Sequence, residues 1–169
     1  MGFFSKDAST PSYNPLAPLS LDRVAKVLED DELKYGYDED GDLACGWDTG
    51  IFFFMRGGEQ GEILRIQGRF HLPLPADELP KAMQACNDWN TRALWPKTFA
   101  ALNDADQTVV MAEHNVDFEL GAADEQIALA VHCAMTTGLR FFDHLTTEIF
   151  PEEWKVFEAE QAEREALGE

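Results

Sequence analysis

The residues best suited to chemistry in this 169-residue sequence lie in one short stretch, Leu64–Leu72. Within it, apolar residues alternate with Arg65, Gln67, Arg69 and His71. Successive side chains of a β-strand point to opposite faces, so the alternation predicts a strand with one face in the core and one polar, basic face. That basic face either pairs with acidic residues across the sheet or receives a segment of a partner protein.

Two of the four tryptophans, Trp89 and Trp95, lie close together before Pro96, which ends the preceding helix. They form either a binding surface or a packing contact at the edge of the core, and large aromatic residues at a helix end are typical of packing. The candidate partner-binding residues are therefore Arg65, Gln67, Arg69, His71, Trp89 and Trp95.

Catalytic motifs are absent from the sequence. Neither Gly-x-Ser-x-Gly nor the phosphate-binding Gly-x-x-x-x-Gly-Lys occurs, and the glycine-rich turn Gly57–Gly61 joins two predicted strands instead of opening a helix. The four histidines show no metal-ligand spacing. We expect no catalytic residue, no cofactor and no metal, although a site assembled from distant residues stays open.

An acidic cluster, Asp38, Asp40 and Asp42, raises the possibility of calcium binding. An EF-hand loop counted from Asp38 requires glycine at its sixth position and glutamate at its twelfth, where this sequence has Leu43 and Thr49. The Asp-Gly pair inside the cluster instead predicts a polar hairpin turn.

The composition is that of one folded, strongly acidic domain. The hydrophobic fraction is 45%, and 32 acidic residues against 13 basic ones give a net charge of -19. We expect no nucleic-acid or anionic-membrane partner, because both require a basic surface. Three scattered cysteines, no signal peptide and no apolar run longer than Ile51–Met55 lead us to expect a cytoplasmic protein.

The element order follows from periodicity and turn residues. Ser20 caps a first helix that ends near Asp30. The continuous apolar run Ile51–Met55 favours a central strand covered on both faces. Strands are predicted at Leu33–Tyr37, Leu43–Trp47, Ile51–Met55, Leu64–Leu72, Thr98–Leu102 and Thr108–His114.

Three further helices complete the prediction. One begins at Asp77 and carries a buried stripe that includes Met83, the longest begins at Asp124, and the last begins at Pro151. The order α-β-β-β(-β)-α-β-β-α-α predicts an α+β fold, with an antiparallel sheet of five to six strands and helices on one face. We expect a flexible lead-in over residues 1–18, one domain over 19–150 and an acidic helix or tail over 151–169.

From about Leu19 to Phe150 the sequence resembles the YbjN family of bacterial proteins, which are labelled sensory transduction regulators. The Trp-Asn and Trp-Pro-Lys elements are the most characteristic. The segments that carry the resemblance are Leu21–Val24, Glu62–Leu72, Asn87–Asn90, Trp95–Lys97 and Gly121–Leu145.

The resemblance implies a fold similar to type III secretion chaperones, small α+β domains that often dimerise and hold an extended partner segment. It supplies no active-site residues. We therefore expect a non-enzymatic protein-binding domain, chaperone-like or regulatory, that forms a homodimer in a bacterial cytoplasm. One alternative is a small-ligand sensor or enzyme whose site is assembled between sheet and helices; a deep pocket that gathers Arg65, Arg69 and carboxylates with shifted pKa would favour it. Another is a structural, stress-related protein without a discrete ligand.

Overall fold

Four helices pack on one face of a six-stranded antiparallel sheet in the computed structural model, which describes residues 16–167. The predicted α+β class, with helices on one face, is confirmed. The helices are α1 (Leu21–Asp30), α2 (Leu79–Arg92), α3 (Asp124–His144) and α4 (Pro151–Leu167). The strands are β1 (Tyr35–Tyr37), β2 (Leu43–Trp47), β3 (Gly50–Gly57), β4 (Ile63–Phe70), β5 (Lys97–Leu102) and β6 (Thr108–Asp117).

The strands run in the order β1-β2-β3-β4-β6-β5, so β6 lies between β4 and β5. The register aligns Phe53 with Gln67, Gln67 with Glu113, and Glu113 with Lys97 in one row across four strands. Because residues that lie directly opposite one another on neighbouring strands point the same way, the side chains of one row share a face of the sheet.

Helix α3 approaches the sheet closely because glycines replace larger side chains at the contact. A Cβ atom added to Gly138 of α3 would lie 2.7 Å from the Phe52 ring, and one added to Gly68 of β4 would lie 2.8 Å from the same ring. A Cβ on Gly50 would meet Phe142 at 2.6 Å. The two phenylalanine rings therefore occupy notches between helix and sheet that only glycine leaves open.

Arg23 ties the start of the described chain to α3. Its guanidinium donates to the main-chain oxygens of Ala17 (2.9 Å) and Ala122 (2.7 Å) and forms an ion pair with Asp124 at 2.6 Å. The predicted cap is also present, since Ser20 Oγ accepts a hydrogen bond from the N–H of Arg23. One arginine thus holds α1 and the α3 N-terminus together.

The edge of the sheet at β5 is covered by Asn90 of α2. The Asn90 side chain accepts a hydrogen bond from the N–H of Thr98 (3.0 Å) and donates one to its C=O (2.9 Å). These are backbone groups that a further strand would otherwise use. The Trp-Asn element therefore has a structural role in closing one edge of the sheet.

The structure corrects two sequence-based expectations. Strand β3 is central, but only Phe52 and Phe54 face the helices; Ile51, Phe53 and Met55 are half-buried on the other face, so the expectation of cover on both faces is wrong. The prediction that Met83 belongs to a buried stripe is also wrong. The alanines of α2 and Cys86 fill that stripe, and Met83 is exposed.

The expected division at residues 18 and 150 stays a prediction. Residues 1–15 of the expected lead-in and residues 168–169 of the expected tail lie outside the described part of the chain. Within α4, Trp154 is buried against Phe70, with ring centroids 5.5 Å apart, so the first turn of this helix packs on the domain.

We predict that Gly138→Ala destabilises the fold by roughly 1–3 kcal/mol, because the added methyl group overpacks against Phe52. That ring cannot move away from α3 without meeting Gly68. Urea unfolding measures the loss. The matched control is Gly46→Ala on β2, where an added Cβ meets nothing within 4 Å. Equal stability of the two variants would contradict the claim that the Phe52 ring leaves no room for a side chain at position 138.

Candidate partner-binding face of the sheet

The face of the sheet that points away from the helices is a continuous surface of apolar and basic side chains. Between residues 16 and 167 all the helices pack on the opposite face. We define the open face by the residues that project from β3, β4, β5 and β6 on this side, which are Ile51, Phe53, Met55, Ile63, Arg65, Gln67, Arg69, Lys97, Phe99, Ala101, Val109, Met111, Glu113, Asn115 and Asp117.

Glu113 is the centre of the polar part of the open face. The side chain is buried, and its Oε2 accepts hydrogen bonds from Arg65 Nε (3.0 Å) and Nη2 (2.8 Å) and from Gln67 Nε2 (3.2 Å). Its Oε1 accepts from Asn115 Nδ2 at 3.0 Å and from the ammonium of Lys97. Four neighbouring side chains thus share one carboxylate.

The charge of Glu113 is stabilised by these donors. Burial alone raises the pKa of this carboxyl group, but the hydrogen bonds from Lys97, Arg65 and Asn115 outweigh burial and lower the pKa to about 2. Arg65 therefore pairs with an acidic residue across the sheet, which was the first of the two alternatives for the basic face.

Arg69 differs from Arg65. It is exposed, it forms no ion pair with any residue of the described chain, and its guanidinium carbon lies 5.8 Å from the centre of the Phe53 ring. His71 is exposed and continues the same side of β4 beyond its end. Arg69 and His71 line a shallow cavity of about 240 Å³ at the end of the sheet.

The candidate residues thus fall into two groups, the polar residues of β4 and the two tryptophans. The structure brings Arg65, Gln67 and Arg69 together on the open face, with His71 at its end. The five best-formed cavities within residues 16–167 include none that both Arg65 and Arg69 line, so they do not provide the deep pocket that would favour a small-ligand site.

The tryptophans lie on the helix side of the sheet. The Trp89 ring packs on Phe141 of α3 at 5.2 Å and on His144 at 5.9 Å, so it joins α2 to α3. Trp95 is about half exposed and meets the His114 ring edge-on at 4.7 Å. The two tryptophans therefore do not extend the open face.

Sequence reasoning assigned no role to His114, although the alternation of its strand places it on the face of Val110 and Ala112. It is buried on the helix side of β6, and its Nδ1 has no hydrogen-bond partner within the described residues. Burial lowers its pKa.

The acidic cluster forms the predicted hairpin turn. Asp38 Oδ1 accepts hydrogen bonds from the N–H groups of Asp40 (3.1 Å) and Asp42 (2.9 Å), as in an Asx turn. Across residues 16–167, no group of three His, Cys, Asp or Glu side chains is arranged to hold a metal ion. No helix in that range is long and apolar enough to span a membrane.

We predict that Glu113→Gln lowers the free energy of unfolding at neutral pH by about 1–3 kcal/mol, because Arg65 and Lys97 lose their shared anion. The folded pKa lies below the unfolded value of 4.5, so this stabilisation is present above that value and is lost as the pH falls towards 2.

Urea unfolding of wild type and variant at a series of pH values tests this prediction. The difference between the two proteins should be largest above about pH 5 and should shrink towards pH 2. Asp104→Asn, a charge removal in the exposed β5–β6 turn, is the matched control and should cost little at any pH. A pH-independent difference for Glu113→Gln would contradict the assignment.

Comparison with known proteins places the chain among bacterial relatives. The YbjN family model, described as "Putative bacterial sensory transduction regulator", matches residues 20–147. A search of curated proteins found no match.

Among solved structures, the crystal structure of YbjN from E. coli is 12% identical with a TM-score of 0.64, and the match covers 77% of this chain and 94% of that one. The Yersinia pestis type III secretion chaperone SycH, in complex with a fragment of YscM2, is 12% identical with a TM-score of 0.40 over 71% of this chain and 97% of that one. The ExoT–SpcS complex from Pseudomonas aeruginosa gives 12% identity and a TM-score of 0.42 over 70% and 92%.

Proposed function

The chain belongs to the YbjN family, and on that premise we propose that it is a non-enzymatic protein-binding domain, chaperone-like or regulatory, whose open face receives an extended partner segment. The observation that carries the proposal is the apolar side of β3 that the fold leaves uncovered.

The apolar residues of the open face support burial by a partner. Ile51, Phe53 and Met55 of β3 are only half-buried, although the strand lies near the middle of the sheet. Phe99 and Met111 continue the apolar surface on the neighbouring strands. Contiguous apolar surface on a folded protein is typical of an interaction site, because covering it removes apolar area from water.

The charges of the open face indicate the partner's chemistry. The face carries the cations Arg65, Arg69 and Lys97 against two carboxylates, Glu113 and Asp117, in a chain whose net charge is -19. The rest of this acidic protein's surface repels an acidic segment, whereas the cations of the open face attract it. We therefore propose a partner segment with carboxylates spaced between apolar side chains.

Arg69 is the cation best placed to meet that partner. Arg65 is already held by Glu113, whereas Arg69 rests on Phe53 without an ion pair among the described residues. We propose a bacterial cytoplasm as the compartment, which fits a chain with free cysteines at Cys45, Cys86 and Cys133.

We expect Phe53→Asp and Arg69→Glu each to weaken binding of the natural partner at least about tenfold, since each alters the centre of the proposed contact. The partner is first isolated from cells on the immobilised wild-type protein, and its affinity for each variant is then measured by calorimetry.

Two matched controls carry the same changes elsewhere. Val156→Asp replaces an exposed apolar residue of α4, and Lys26→Glu reverses an exposed cation of α1. Both should bind the partner as wild type does. Wild-type affinity in the two open-face variants would show that the partner binds another surface.

We also propose that the chain forms a homodimer through β1. Asn90 covers the edge at β5, whereas β1 pairs only with β2 in the described chain. The backbone N–H of Asp38 donates to the C=O of Asp42 across the hairpin. Because successive backbone N–H groups of a strand point to opposite edges, the N–H of Tyr37 points away from β2. That edge is open to a second copy.

Sedimentation velocity should give twice the 19.0 kDa mass of one chain. Tyr37→Pro should release single chains because it removes the outward N–H, and Tyr37→Thr at the same site should remain a dimer. A single-chain mass for the wild-type protein would refute the dimer without bearing on the open face.

A further inference from the structure

The shallow cavity beside Arg69 lies where the pairing of β4 with β6 is interrupted. The ladder is regular as far as Arg69, which lies opposite Met111, and it resumes where Leu74 lies opposite Thr108. The chain after β4 covers five positions in this interval and β6 covers three, so the longer segment, which includes His71, bulges from the ladder. The cavity, of about 240 Å³, is therefore built into the backbone at one end of the open face.

The lining of this cavity is basic in a chain whose net charge is -19. Arg69 forms no ion pair within residues 16–167, and none of the described residues that line the cavity is acidic. His71 can donate an N–H in either protonation state of its ring. Asp104 and Asp106 belong to the adjacent β5–β6 turn but do not line the cavity. The cavity therefore attracts an anionic group that most of the protein's surface repels.

The β5–β6 turn holds a further donor, the side-chain amide of Gln107. Asn103 Oδ1 accepts hydrogen bonds from the N–H groups of Ala105 (3.0 Å) and Gln107 (2.9 Å), which fixes the Asn103 amide. Asn103 Nδ2 in turn donates to Gln107 Oε1 at 3.3 Å. Gln107 thus uses its oxygen within the turn, and its Nε2 donates to no described residue. An oriented NH₂ group is left for a ligand of the cavity.

Apolar side chains form the rest of the contact surface. Ile51 and Val109 project from the open face beneath the cavity, and Pro73 bounds it beyond the end of β4. The volume is smaller than the roughly 300 Å³ at which sites for drug-sized molecules begin. The cavity is therefore suited to one amino-acid residue with an apolar side chain.

A C-terminal residue satisfies both halves of this lining at once. The guanidinium of an arginine binds a carboxylate through two parallel hydrogen bonds, and the amide of Gln107 adds a third donor. An α-carboxylate and an apolar side chain extend from the same Cα atom of a terminal residue. The side chain of an internal Asp or Glu brings a carboxylate without an apolar group, and so does a free phosphate ion.

We propose that this cavity binds the C-terminal residue of the partner chain, with the α-carboxylate on Arg69 and Gln107 and an apolar side chain, such as that of leucine, on Ile51 and Val109. This role of the cavity rests on the proposed binding of a partner segment to the open face. It adds the direction of that segment, which ends at Arg69 instead of continuing past Pro73.

Two small probes, N-acetyl-leucine and N-acetyl-leucinamide, test the cavity without the partner, since they differ only in the terminal charge. Each is titrated into ¹⁵N-labelled protein while the His71 imidazole and Gln107 side-chain amide signals are followed by NMR. We expect N-acetyl-leucine to shift both signals and to bind at least about tenfold more tightly than the amide. A protein of net charge -19 without such a site favours the neutral probe, so the sign of the difference is diagnostic.

Three variants localise the binding and separate it from the proposed function. Arg69→Gln should remove the preference for the charged probe, whereas Arg140→Gln, the same change at an exposed arginine of α3, should keep it. Met55→Gln, on the open face outside the cavity, should weaken binding of the natural partner and leave the affinity for N-acetyl-leucine unchanged. Loss of the partner site and loss of the terminal-residue site are thus measured separately.

Unmoved His71 and Gln107 signals, or equal affinity of the two leucine probes, would overturn the proposal. Inorganic phosphate and the α-amide of N-acetylaspartic acid, which carries only a side-chain carboxylate, should each bind at least about tenfold more weakly than N-acetyl-leucine. Equal binding of either would also overturn it, because the cavity would then accept any small anion or an internal acidic residue.

The isolated partner provides the last comparison. Two glycine residues appended to its C-terminus should weaken its binding to the wild-type protein at least about tenfold, because they displace the apolar residue and its carboxylate from the cavity. Unchanged affinity of the extended partner would show that its bound segment does not end at Arg69.

Discussion

The close contact of α3 with the sheet is the constraint on which the rest of this structure depends. Phe52 fits between Gly68 and Gly138, and Phe142 lies against Gly50, so the longest helix lies directly on β3 and β4. This contact fixes one face of the sheet as the core. Helices α1, α2 and α4 then pack around α3 on the same side, and the other face stays free for binding.

The two faces of β4 were predictable from the sequence, because strict alternation over Leu64–Leu72 carries one unambiguous period. The faces of β3 were not. A continuous apolar run has no period, and the same residues suit a strand covered by two helical layers or one whose second face awaits a partner. Only the placement of all helices on one side of the sheet distinguishes these two possibilities. That placement follows from the packing of Gly138 of α3 against Phe52, residues that are far apart in sequence.

The candidate site was likewise predictable only where its residues belong to a single strand. Arg65, Gln67 and Arg69 project together because they share one strand, whereas Trp89 and Trp95, six positions apart in sequence, reach different neighbours on the helix side. The pairing of Arg65 with Glu113 depends on β6 lying between β4 and β5, a crossing that no local pattern encodes. Proximity in sequence thus predicts a shared surface only within a single strand or helix.

The central claim is that a protein partner covers the open face, and the methionines report on it directly. Met55 and Met111 lie on that face, Met83 is exposed on α2, and Met135 is buried in α3. NMR spectra of protein labelled with ¹³C at the methionine methyl groups should show the Met55 and Met111 signals shifting when the isolated partner is added, with Met83 unchanged. A shift of Met83 while Met55 and Met111 keep their free positions would contradict the account.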